Sequence, residues 1–149
     1  MTTITAARSG PIRWKSRQDG QLGVEKENHA RFIDSAARAV ESSGQVIKEE
    51  EYARIFEDRF LGPLYRWCSQ FSHRVRNCYV TFQGDHIQVF VVTNRKQYDF
   101  DLSKEIAALE LNLVGGGWEI SVTQLPDSDD ASLHTYFHPE LSLEVYANG

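Results

Sequence analysis

Apolar residues recur at helical spacing in three early stretches. Phe32, Ile33, Ala36, Ala37 and Val40 form one stripe and predict a helix from about Glu25 to Ser43. Gly44 suits the left-handed residue that stops such a helix. Tyr52, Ile55, Phe56 and Phe60 make a second stripe on a helix starting near Glu49. There Glu49, Glu50 and Glu51 complement the positive end of the helix dipole. Gly62-Pro63 is expected to interrupt this helix, because proline gives no amide hydrogen to the preceding turn. Pro63 can open a third helix, in which Leu64, Trp67, Cys68 and Phe71 repeat the same spacing.

The period then shortens to two. From Cys78 to Val92 the residues alternate around Gly84-Asp85, a two-residue hairpin signal. Such a loop sets the pairing Gln83 with His86, Phe82 with Ile87, Thr81 with Gln88, Val80 with Val89, Tyr79 with Phe90 and Cys78 with Val91. One face is then wholly apolar: Cys78, Val80, Phe82, Ile87, Val89 and Val91. The other carries Tyr79, Thr81, Gln83, His86, Gln88 and Phe90. A slip of one residue would mix the two sets.

Downstream the signals are weaker. Gln97 to Phe100 is expected to form a third strand, with Asp101 capping a helix whose apolar face is Leu102, Ile106, Leu109 and Leu113. Gly115-Gly116-Gly117 ends that helix. Trp118, Ile120 and Val122 alternate with Glu119, Ser121 and Thr123 as a fourth strand. The tail from Leu133 to Tyr146 carries conflicting signals. Leu141, Leu143 and Val145 alternate like a strand, while Pro139-Glu140 suits the start of a short helix. We read it as a short helix.

Residues 1–23 show no period and read as a flexible basic arm, although Trp14 within it is expected to dock on the fold. Residues 24–149 read as a single domain. Its class is α+β: N-terminal helices followed by β-β-β-α-β, a mostly antiparallel sheet of about four strands, and helices mainly on one face.

Composition supports a packed core. The 149 residues include eight Phe, six Tyr and three Trp, enough apolar area to offset chain entropy. Cys68 and Cys78 both fall in apolar patterns and are expected to be buried free thiols. No apolar run reaches the length of a membrane span, and the N-terminus lacks the apolar stretch of a secretory signal. A cytoplasmic chain without membrane contact is the expectation. Net charge is −5 and unevenly spread. Residues 59–96 carry six Lys/Arg against Asp85 alone, whereas residues 97–149 carry ten acids against Lys104 alone. Such polarity bears on partners rather than on fold.

No motif is strong enough to name a reaction. Asp99 and Asp101, at i, i+2 on an extended chain, would point to one side and could hold a divalent cation, as in phosphoryl- or nucleotidyl-transfer enzymes. The helix start with Gly-Ser that such enzymes use for phosphate does not precede them. His134 and His138 have helical metal-site spacing, but Pro139 disfavours a helix there. The three glycines follow a helix, whereas phosphate loops precede one. Tyr79, Thr81, Gln88 and Phe90 form the least ordinary patch, a face that could stack single-stranded nucleic acid or meet a protein. The acidic last third argues against nucleic acid. The preferred expectation is a non-catalytic protein-interaction module, without cofactor or metal. It would bind a basic protein partner through its acidic third or associate with itself.

Overall fold

The computed structural model describes residues 11–16, 21–42 and 49–148. The expected stop at Gly44 lies outside them. In chain order the elements are β1 (Ile12–Arg13), α1 (His29–Ser42), α2 (Glu49–Phe56), α3 (Gly62–Gln70), β2 (Val75–Gln83), β3 (His86–Thr93), α4 (Phe100–Gly115), β4 (Ile120–Leu125), α5 (Asp130–Leu133) and β5 (Leu143–Ala147). A 3-10 turn at Lys26–Asn28 leads into α1, and another at Pro139–Leu141 precedes β5.

The class is α+β, with four helices against one face of a five-stranded sheet. Strands β2 and β3 pair antiparallel in the register set by their turn. All six expected pairs, from Gln83 with His86 out to Cys78 with Val91, are present. Gly84 holds a φ of +61°, a conformation that a side chain would strain. The wider sheet runs β1-β5-β2-β3-β4. It is mixed: β1 with β5 and β3 with β4 are parallel, and β5 with β2 and β2 with β3 antiparallel.

The segment before α4 and the C-terminal tail depart from the sequence reading. Residues 97–100 form no strand. Asp99, rather than Asp101, caps the following helix: its Oδ1 accepts from the Leu102 amide at 3.0 Å. Its own amide donates to Gln124 Oε1 at 2.8 Å, so β4 holds the cap in place. The tail is the second departure. It spends its two signals in succession, a 3-10 turn at Pro139–Leu141 and then β5, which lies between β1 and β2. Pairing on both sides outweighs the weak local preference. A bulge opposite Cys78 and Tyr79 lets both Val145 and Tyr146 join the helix-side core with Leu143.

That core is aromatic at its centre. Phe56 stacks on Phe60 at 5.0 Å, and Trp118 meets both edge-on at 5.8 and 5.4 Å. Val80, Ile87, Val89 and Val91 of the hairpin and Leu102, Ile106, Leu109 and Leu113 of α4 close around them. The other sheet face carries a smaller cluster: Tyr79, Phe90, Val92, Leu125, Leu133 and Phe137.

Gly62-Pro63 does not break the helix. Glu57–Leu61 widens into a π-helical turn, in which the Gly62 amide reaches back to the Glu57 carbonyl. The wider turn accommodates a proline that lacks an N–H and would crowd the carbonyl four residues back. It also carries Glu57, whose Oε2 accepts from the Trp14 indole at 2.7 Å and from the Gly23 amide at 2.5 Å. Residues 11–16 and 21–23, expected within a flexible arm, are thus part of the packed fold. Ile12–Arg13 pairs with β5, and Trp14 is buried. Only glycine fits at position 23, because a Cβ there would sit 2.1 Å from the Lys15 carbonyl oxygen and 2.5 Å from Trp14 Nε1.

Gly23→Ala should therefore undock the N-terminal segment. We expect a loss of about 1–3 kcal/mol, the usual cost of overpacking, and a red shift in Trp emission that is absent when the same change is made in a Trp14→Phe background. Unchanged emission and stability would show that this close approach is not required.

Candidate functional site

The loop between β4 and β5 crosses the sheet face opposite the helices. Asp129 starts it by capping α5, its Oδ1 accepting from the Ser132 amide at 2.8 Å. That bond, given to the ionised form, holds the Asp129 carboxyl below its usual range. Helix α5 delivers Leu133, which is fully buried. Phe137 then lies flat on Phe90, with ring centroids 4.4 Å apart and planes 5° from parallel, and packs at 5.1 Å against Tyr79.

This placement lays the loop over the expected binding patch. Tyr79 is only 5% exposed and Phe90 only 6%, while Thr81 and Gln88 are half-buried. The two rings are already stacked by a residue of the same chain, so they offer no open surface to a base. Sequence pattern marked these aromatics as displayed because it could not show that Phe137 would return to cover them. Burial, followed by the charge of Glu144 and a hydrogen bond to it, pushes Tyr79 up to about 12. Glu144 also accepts from Arg13 Nε and from Asn77 Nδ2, both at 3.3 Å, and so ties β1, β5 and β2 together on this face.

On the outer side of the loop, His134 and His138 come together around Glu140. His134 Nε2 lies 3.0 Å from Glu140 Oε2, and His138 Nδ1 lies 3.5 Å from Oε1. The imidazole centroids are 5.4 Å apart, edge to face. No helix spans both histidines. His134 closes α5, and His138 is extended with φ −104° and ψ 98°. The turn between them brings the rings together instead. Spacing in the sequence pairs the histidines but does not mark Glu140, whose only signal is a carboxylate two residues beyond His138. A cleft of about 400 Å³ adjoins the cluster, lined by Thr81, Gln83, Tyr136 and Leu141 among others.

The acidic pair is arranged differently. Asp99 is 3% exposed, caps α4 and faces Arg74 Nη1 at 3.4 Å. Its Oδ2 makes no hydrogen bond among the described residues. Asp101 is exposed in the first turn of α4. On a helix, residues two apart do not face each other, and the extended chain that would have aligned them is not formed. Cys68 and Cys78 are buried and free, and a hydrogen bond between them, with burial, raises the Cys78 thiol well above its usual range. Neither suits a nucleophile. The charge polarity is partly folded inward, since Arg74, Arg76 and Arg13 pair with Asp99, Asp127 and Glu144.

Helix α4 is apolar on two sides. Leu102, Ile106, Leu109 and Leu113 face the core. Phe100 and Leu111 are each 73% exposed, Val114 is half-exposed, and Ala107 is open between them. Phe100, Lys104, Ala107, Leu111 and Val114 are spaced alternately four and three apart. Beside this ridge runs a groove of about 350 Å³ between α3 and α4, walled by Trp67, Phe71, Leu109 and Leu113, with Arg66 and Glu105 also lining it. Among the described residues, no helix is long and apolar enough to cross a membrane.

The shift of Tyr79 gives a signed pH dependence. Its folded value of about 12 exceeds an unfolded value of about 10. The stabilisation of the neutral phenol is therefore complete below pH ~10 and is lost as pH rises through ~12. Thermal unfolding between these values should show a steeper fall for the native chain than for Tyr79→Phe, and tyrosinate absorbance should report the late deprotonation.

Comparison with known proteins finds no matching family model, no matching curated protein and no matching solved structure.

Proposed function

We propose that this chain is a non-catalytic protein-interaction module that pairs with a second copy of itself through the α3–α4 face. The observation that carries this reading is the second apolar side of α4. A helix whose opposite face already fills the core gains nothing from Phe100, Leu111 and Val114 in water, and an exposed apolar row, here broken by Lys104, marks a contact surface. The alternating four-three spacing is that of a seam between helices.

A second copy is favoured because ridge and groove adjoin on one face. Two-fold pairing is reciprocal: what residue i contacts on the partner contacts i in return. Each ridge can then enter the groove of the other copy. Arg66 and Glu105 line that groove, so the same rotation can bring each arginine towards a glutamate of the opposite chain. A basic partner held by the acidic third has weaker support, because Asp99, Asp127 and Glu144 already pair with arginines within the fold.

Light scattering over a concentration series tests the reading. The expected result is a rise from the mass of one chain to that of two, with Leu111→Glu weakening association by about tenfold or more. Single-chain mass up to about 100 μM, equivalent to less than roughly 5.5 kcal/mol of association, would overturn it. So would a dimer indifferent to Leu111→Glu.

A further inference from the structure

We propose that His134, His138 and Glu140 form a binding site for a divalent transition metal of the zinc class. The cluster lies on the sheet face opposite α4, so the inference is independent of pairing between chains. Among the described residues, this is the one group of three or more His, Cys, Asp or Glu side chains positioned to share an ion.

A tetrahedral ion bound at about 2.0–2.1 Å sets its ligands roughly 3.3 Å apart. His134 Nε2 stands 3.0 Å from one Glu140 oxygen, and His138 Nδ1 stands 3.5 Å from the other. All three ligand atoms lie within 4.8 Å of one another. Modest side-chain rotation therefore closes the set.

Ligand type follows the same direction. Two imidazoles with one carboxylate suit zinc and its neighbours, whereas calcium and magnesium favour sites made of oxygen. The set is also held before any ion arrives. Phe137, between the histidines, is locked against Phe90 and Tyr79. The Leu141 amide donates to the His138 carbonyl at 2.9 Å, and Ser142 Oγ donates to the Pro139 carbonyl at 2.7 Å. Backbone on both sides of Glu140 is thereby fixed, which lowers the ordering cost of coordination.

Three protein ligands leave a position open. The adjoining cleft has room for water or a small anion there. Thr81, whose Oγ1 is buried and makes no hydrogen bond among the described residues, lines the same cleft. The site would thus hold an ion with an exchangeable ligand rather than a closed structural centre.

Titration of the chelator-treated full chain with Zn²⁺ alone, followed by calorimetry and melting temperature, is the test. One ion per chain and a raised melting temperature are expected. Co²⁺ in place of Zn²⁺ should give the visible absorption of a low-coordinate nitrogen–oxygen site. Each of His134→Ala, His138→Ala and Glu140→Gln should weaken binding by about tenfold or more. These side chains sit at the surface, and unchanged circular dichroism would confirm that the variants fold. Absence of saturable binding at millimolar Zn²⁺, or binding that survives in the triple variant, would overturn the proposal. Calorimetry and the Co²⁺ spectrum are read on the native chain, so the first of these outcomes needs no variant.

Discussion

The two-residue reversal at Gly84-Asp85 assigns side chains to both faces of the sheet at once. Because it pairs Val80 with Val89 and Tyr79 with Phe90, the aliphatic row turns towards the helices and the aromatic pair towards the opposite side. Neither core could form in the alternative register, since a shift of one residue exchanges every side chain between faces. The helix-side core needs the aliphatic row for Phe56, Phe60 and Trp118 to close upon. The smaller core needs Tyr79 and Phe90 as the floor on which Phe137 lies. The seating of the β4–β5 loop therefore rests on a turn some fifty residues earlier in the chain.

The distant ends of the chain are joined by a few polar contacts of high leverage. Strand β5 comes last in sequence but lies between β1 and β2. Glu144 bonds from it to Arg13 and Asn77 on its neighbours. Glu57 performs a comparable role on the helix side, receiving the Trp14 indole and the Gly23 amide in one carboxylate. Its position depends on the π-helical turn, which in turn is how a helix continues through Gly62-Pro63. A local irregularity and a long-range tie thus share one cause.

Legibility in the sequence followed the range of the interactions. The three helical stripes and the hairpin are short-range patterns, and each residue of the apolar hairpin face lies in or against the helix-side core. Strand β5 was obscured because its stability comes from partners about 65 and 130 residues away, while Pro139-Glu140 gave an equally good local signal for a helix. The cap on α4 shifted from Asp101 to Asp99 because Gln124, a residue of another element, holds the Asp99 backbone. In the loop, the histidine spacing was visible, but the contribution of Glu140 depends on a turn at His-Pro that periodicity does not describe. The exposed side of α4 was obscured for a different reason. A helix apolar on two sides resembles a buried one in sequence, and only the position of the sheet shows which side remains open.

Phe137 connects packing to chemistry in this fold. Its ring satisfies the back of the sheet, and that satisfaction decides where its neighbours project. With residue 137 turned inward against Phe90 and Tyr79, the imidazoles on either side emerge near one another, although no helix aligns them. A short strap anchored only by its polar contacts would sample many arrangements and hold two imidazoles and a carboxylate together only briefly. Anchored by a buried aromatic and closed by the Leu141 and Ser142 bonds, it keeps them within coordinating distance at little entropic cost. The smaller core is therefore more than a cover for two aromatic residues. It sets the geometry of the cluster above it, and the two should respond together to any change that loosens Phe137.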